Sequence, residues 1–193
     1  MNVVLGLGNP GMTYHRTRHN AGFNVIEQVA RRHAVQVRNI LLDPGDDRPA
    51  CVYGDFQAGG AAVRLAMPLT MMNESGRALH ALRADAKALL IVCDDVNLPL
   101  GTLRFRPSGG PGGHHGLASC LDVLGTDDVA RLRLGVGIDP LPKDLREFVL
   151  SPYRPEERPV VEAMYAQAAD ACEVWIQEGL NAAMNRYNTA REA

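Results

Sequence analysis

Asn2 to Leu7 is a short β-branched and aliphatic run closed by glycines, and it hands over through a polar loop to a helical pattern that opens at Asn20. A short apolar run without alternation suits a strand buried on both faces, and such a strand followed by a helix belongs to α/β architectures. In the helix, Phe23, Ile26, Val29 and Ala30 share one face while Glu27, Arg31 and Arg32 share the other. The same alternation of elements recurs down the chain. Turn residues Asp43 to Pro49 precede two strand-like runs, Ala50 to Gln57 and Ala61 to Met67, which Gly59-Gly60 joins as a hairpin. Ser75 to Ala84 reads as helix, Leu89 to Cys93 as a buried strand and Thr102 to Phe105 as a further strand. The glycine-rich segment Gly109 to Gly113 leads into a helix from His115 to Leu124, and Arg131 to Ile138 alternates as a strand. Beyond Lys143 the chain reads helical. A short piece spans Glu147 to Leu150, and a long helix spans Glu156 to Gly179 with Val160, Met164, Ala168, Cys172 and Trp175 at core spacing. The expected fold is a single α/β domain over residues 1–193, a twisted mixed sheet flanked by helices.

Charge and cysteine usage narrow the function classes. Lys+Arg total 20 against 22 Asp+Glu, a formal charge of −2, so the chain is not a coat for nucleic acid that works by bulk charge, though a local basic patch remains open. Cys51, Cys93, Cys120 and Cys172 are too scattered for a disulfide scaffold or a zinc knuckle, which suggests reduced thiols in a cytoplasmic protein. Neither an export signal nor a membrane span is expected.

Several motifs carry chemistry. Gly6-Leu-Gly8-Asn-Pro-Gly11 matches the dinucleotide fingerprint literally, but Pro10-Gly11 reads as a turn and the acid at the required distance, Glu27, falls inside a helix. Glycines for a tight turn would explain Gly6 and Gly8 and leave Asn9 without a task. His15 and His19 stand four apart, a metal-ligand spacing, yet no third ligand lies nearby. His19 suits a general base better, because it follows the carboxyl end of the first strand, where open α/β sheets bind ligands. A carboxylate to hold its ring is available in Asp94 or Asp95, at the end of the strand Leu89 to Cys93. Asn73 either caps the next helix or offers an amide to a developing oxyanion. There is no nucleophile elbow, so water is the expected attacker. Gly109 to Gly116, with His114 and His115 at its end, would present backbone N–H groups and a helix N-terminus to an anion. Arg104 and Arg106 on one strand, and Arg131 and Arg133 on another, form either a phosphate-binding patch or a charge-protected sheet edge.

Five blocks together resemble bacterial peptidyl-tRNA hydrolase: Gly6 to Gly22, Pro68 to Gly76, Asp94 to Gly101, Gly112 to Leu117, and Arg131 to Gly137 with Phe148 to Leu150 beyond it. The resemblance implies a monomeric cytoplasmic hydrolase without metal or cofactor, and without a membrane partner. Its substrate would be the ester between a peptide and the 3′-terminal adenosine of tRNA, with the acceptor stem and 3′ end as the partner. It further implies His19 as general base, Asp94 as its support, and Asn9 and Asn73 as the amides that hold the peptide and the scissile carbonyl. Tyr14, Met71 and Met72 would line the pocket, with Gly112, Gly113 and His115 on the facing loop, and Arg104, Arg106, Arg131 and Arg133 would grip tRNA. The family usually has Asn where this chain has His115. A neutral imidazole also donates and accepts, in a different geometry. A relative that binds RNA and has lost the chemistry is the alternative reading.

Overall fold

The structure, a computed structural model, describes residues 1–188. Its elements run β1 (Asn2–Gly6), α1 (Ala21–Arg32), β2 (Asn39–Leu42), β3 (Pro49–Ala58), β4 (Ala61–Pro68), α2 (Gly76–Leu82), β5 (Leu89–Pro99), β6 (Leu103–Arg106), α3 (His115–Leu124), β7 (Ala130–Gly137), α4 (Leu145–Val149), α5 (Arg158–Glu178) and α6 (Leu180–Tyr187). The strands form one mixed sheet in the order β2-β3-β4-β1-β5-β7-β6. β4, β1, β5 and β7 are parallel, and β2, β3 and β6 are antiparallel to their neighbours.

Alternation along the central strands divides the core into two layers. Val4, Leu65, Leu90, Val92, Leu132 and Leu134 face α1, α5 and α6, whereas Leu5, Leu7, Ile91 and Cys93 face α2 and α3. Gly6 and Gly22 let α1 lie directly on β1: a Cβ on Gly6 would strike the Gly22 carbonyl, and one on Gly22 would strike the Leu7 backbone. The first two glycines of the fingerprint-like motif therefore serve helix–strand packing, since a side chain on Gly8 would likewise meet the Phe23 ring.

Three expectations need correction. Val160 is 42% exposed and Val161 takes the buried position, so the core stripe of α5 reads Val161, Met164, Tyr165, Ala168, Cys172 and Trp175. β5 runs to Pro99, well past Cys93, because the register shift after Asp95 bends the strand without ending its pairing to β7. A further helix, α6, follows Gly179, and beyond it the Asn188 amide accepts from Phe105 N–H at 2.7 Å and donates to Phe105 C=O at 3.0 Å. That contact satisfies the outer edge of β6, the last strand of the sheet. No helix among the described residues is long and apolar enough to cross a membrane.

Candidate active site

A cleft of about 750 Å³ opens at the carboxyl ends of β1, β4 and β5, beside the loop that enters α3. This is the place where a parallel sheet leaves room between strands whose connections diverge. His19 reaches it from a 3₁₀ turn, Arg18–Asn20, at the head of α1. Its Nδ1 lies 2.9 Å from Asp94 Oδ1 and 3.1 Å from Oδ2. An ionised carboxylate only accepts, so Nδ1 carries the proton and the neutral ring keeps its lone pair on Nε2. Burial alone would raise the Asp94 carboxyl, but the two imidazoles beside it, His19 and His114, override that effect and hold it well below the usual carboxylate range.

The turn that carries His19 is pinned from below. The Arg18 guanidinium meets Glu157 at 2.7 Å and donates to Ser151 Oγ and Pro152 C=O, both at 2.8 Å. It also stacks on Phe148 and Tyr153, 4.4 and 4.9 Å from their ring centroids. Next to it, Asn20 accepts from Asn9 N–H and returns a bond to Asn9 C=O, each at 2.9 Å. Asn9 itself is 3% exposed, and its Oδ1 accepts from Met72 N–H at 2.7 Å. Since a backbone N–H can only donate, the orientation of the Asn9 amide is fixed and its two Nδ2–H donors are left for the cleft.

Tyr14, Met71 and Met72 line the cleft as expected, and so do Gly112, Gly113 and His115. Asn73 sits in a 3₁₀ turn, Met72–Glu74, and makes no side-chain hydrogen bond among the described residues. Ser75 occupies the N-cap of α2, so Asn73 is not the cap. The arginines divide. Arg133 lines the cleft and pairs with Asp95, Arg104 is half-buried and Arg106 is exposed. Arg131 departs from expectation: it is 2% exposed, and its guanidinium is taken up by the carbonyls of Gly109, Gly110, Asp127 and Val129. It holds the glycine loop from inside and offers nothing to a phosphate. His15 is exposed and does not line the cleft.

Sequence reasoning undervalued His114. It is the N-cap of α3, with Nδ1 accepting from Leu117 N–H at 3.1 Å, while its Nε2 reaches Asp94 Oδ1 at 3.2 Å. The signal available was its place before a helix, which suggests a cap and says nothing of a carboxylate 20 residues earlier. His19, Asp94 and His114 are of metal-ligand type and lie within 4.8 Å of one another. The bond from Leu117 N–H leaves the His114 proton on Nε2, however, which is the wrong tautomer for a ligand there. No thiol is poised for attack: burial pushes Cys51, Cys120 and Cys172 up to about 12, and Cys93, on the cleft wall, is raised as well.

The profile of the family described as peptidyl-tRNA hydrolase matches residues 3–193. The peptidyl-tRNA hydrolase of Chloroflexus aggregans is 43% identical over 191 residues, covering 96% of this chain and 98% of the relative. That of Syntrophomonas wolfei is 38% identical over 192 residues, covering 97% of this chain and all of the relative. The crystal structure of peptidyl-tRNA hydrolase from Acinetobacter baumannii superposes with a TM-score of 0.87 at 30% identity, covering 100% of this chain and 97% of the other. The chain belongs to the peptidyl-tRNA hydrolase family.

Proposed function

We propose that this cleft hydrolyses the ester joining a peptide to the 3′-terminal adenosine of tRNA, and so returns tRNA from aborted translation. The observation that carries the reading is the His19–Asp94 pair, with Nε2 of His19 free to take a proton inside a cleft that also presents the Asn9 amide donors. Water hydrogen-bonded to Nε2 loses a proton to His19 as its oxygen attacks the ester carbonyl. Asp94 stabilises the imidazolium that forms, and an amide N–H from Asn9 or Asn73 meets the oxyanion. Collapse of the tetrahedral species breaks the bond to the ribose 3′-oxygen, which takes its proton from the imidazolium, and the peptide is released as a carboxylic acid that gives its remaining proton to solvent. An ester is activated enough for this single displacement without a covalent enzyme intermediate.

The same amides account for selectivity. With its Oδ1 committed to Met72, Asn9 can only donate, so it fits the carbonyl of an acylated amine. A free α-ammonium offers no such acceptor and would be desolvated beside unpaired donors. Gly112 and Gly113 supply backbone to the facing wall, and Arg104, Arg106 and Arg133 supply charge for the phosphates of the acceptor stem. Water, an imidazole and amides suffice for the reaction, and the reading extends, as the family resemblance implies, to a cytoplasmic monomer that works without metal or cofactor.

The test is release of tRNA from N-acetyl-aminoacyl-tRNA beside the same aminoacyl-tRNA with its amine free. Wild type cleaves only the blocked substrate, and His19→Ala lowers kcat by about 10² to 10⁴ while tRNA binding survives. Binding of tRNA without cleavage of either substrate by wild type would replace this reading with that of an RNA-binding relative, which His115 in place of the usual asparagine would favour.

A further inference from the structure

We propose that His114 is a positioning residue for the reaction, a fixed N–H donor that sets the rotation of the Asp94 carboxylate and through it the aim of His19. The inference rests on the general-base reading given above. Asp94 has its side chain 2% exposed, and among the described residues it makes hydrogen bonds to two groups only, His19 Nδ1 and His114 Nε2. The contact with His19 is split between both carboxylate oxygens, at 2.9 and 3.1 Å, so by itself it fixes the carboxylate poorly about its last torsion. His114 contacts Oδ1 alone, at 3.2 Å, and breaks that symmetry.

What makes His114 a dependable donor is its other nitrogen. Leu117 N–H, an orphan donor in the first turn of α3, points at Nδ1 and so excludes the tautomer in which Nε2 would be bare. A helix N-terminus thus fixes the protonation site of one imidazole, which orients a carboxylate, which fixes the protonation site of the other. The rings lie 4.8 Å apart between centroids and tilted by 44°, so each limits the swing of its neighbour. Of the other titratable groups near the trio, Tyr14, His115 and Arg146 line the cleft, and others are engaged elsewhere. Asp95 meets Arg133 and Asn97 N–H, Arg18 meets Glu157, and the Tyr153 and Tyr165 hydroxyls face each other at 3.5 Å. The Cys93 thiol is kept protonated by burial.

Two substitutions separate orientation from folding. His114→Asn places an amide oxygen near the position of Nδ1, keeping the cap for Leu117 N–H, but it is too short to reach Asp94. His114→Gln carries an N–H near the position of Nε2. The expected result is an unchanged urea midpoint for His114→Asn, with kcat lower by about tenfold to a hundredfold and KM within about twofold, as loss of a hydrogen bond to a charged group predicts. His114→Gln recovers most of that loss. Proton NMR of the wild type should show a slowly exchanging downfield N–H of His19 Nδ1, which broadens in His114→Asn and returns in His114→Gln. Wild-type kcat together with an unaltered His19 N–H signal in His114→Asn would overturn the proposal. The NMR arm needs no turnover, so a wild type inactive on the blocked substrate with an intact pattern across the variants would refute the hydrolase reading and leave the positioning geometry standing.

Discussion

Asn20 touches no substrate in this reading, yet the placement of Asn9 depends on it. Both backbone polar groups of Asn9 are buried and both are satisfied by the one Asn20 amide, at 2.9 Å each. Asn20→Ala leaves a buried N–H and a buried C=O without partners, each costing about 1–3 kcal/mol. The variant should therefore lose about 2–6 kcal/mol in urea unfolding and show a raised KM for blocked substrate, because the Asn9 donors lose their aim. An unchanged midpoint would mean that water replaces the amide. At this scale the rule that reactive residues collect at strand ends in an open sheet pointed to His19 and to one of Asp94 and Asp95, whereas Asn9 entered only through the family resemblance. Which nitrogen of His19 holds the proton, and that His114 shares Asp94, were not legible. Both depend on partners 75 and 20 residues away along the chain, brought together only by the crossing of β1, β5 and the α3 loop.

Among the elements, the β6–β7 pair and the glycine loop separate structural from exposed charge. Arg104 stands opposite Arg133 and Arg106 opposite Arg131, so all four side chains leave the same face of the sheet. Alternation predicted that each pair shares a face of its own strand, and the register of β6 on β7 joins the two pairs. Alternation could not predict that the loop from Gly109 would fold back over Arg131, with Gly109, Gly112 and Gly113 in left-handed conformations that only glycine adopts readily. Arg131→Lys keeps the charge and loses the planar fork, leaving loop carbonyls unpaired. The expected outcome is faster cleavage by a nonspecific protease within residues 109–113 and a several-fold rise in KM; protection equal to wild type would refute the staple. Arg104→Ala with Arg106→Ala should leave the loop intact. If their contacts are to phosphates, the slope of log K against log salt falls by about one to two. A slope that does not move would direct the tRNA path to another face. The missed helix α6 has a similar cause, since its place is decided by docking against β6 through Asn188 and only weakly by its own apolar pattern.

Across the whole molecule, hydrophobic periodicity gave the class of fold, but strand order was illegible because β1, β4, β5 and β7 are all apolar enough to be central. What closes the chain on itself is polar. Arg18, in the loop after β1, and Glu157, ahead of α5, are 3% and 5% exposed and meet at 2.7 Å, tying the head of α1 to the C-terminal helices directly beneath His19. Burial would raise the Glu157 carboxyl, but the Arg154 N–H and the Arg18 guanidinium outweigh it and hold it below its ordinary value of 4.5. A carboxyl lowered on folding contributes stability that is present above that ordinary value and lost as pH falls through the lower folded one. Glu157→Gln removes the charge and leaves Arg18 buried with a neutral partner, a loss of about 3 kcal/mol at pH 7 by analogy with broken buried pairs. The gap between wild type and Glu157→Gln in urea unfolding should therefore be widest near neutrality and close as the pH drops below about 4.5, since acid does to the wild type what the substitution has already done. Turnover should fall with it, because the lost anchor is the one under the 3₁₀ turn that aims His19. A gap of constant size from pH 7 to pH 3.5 would locate the cost of the substitution in packing and remove the ion pair from the account.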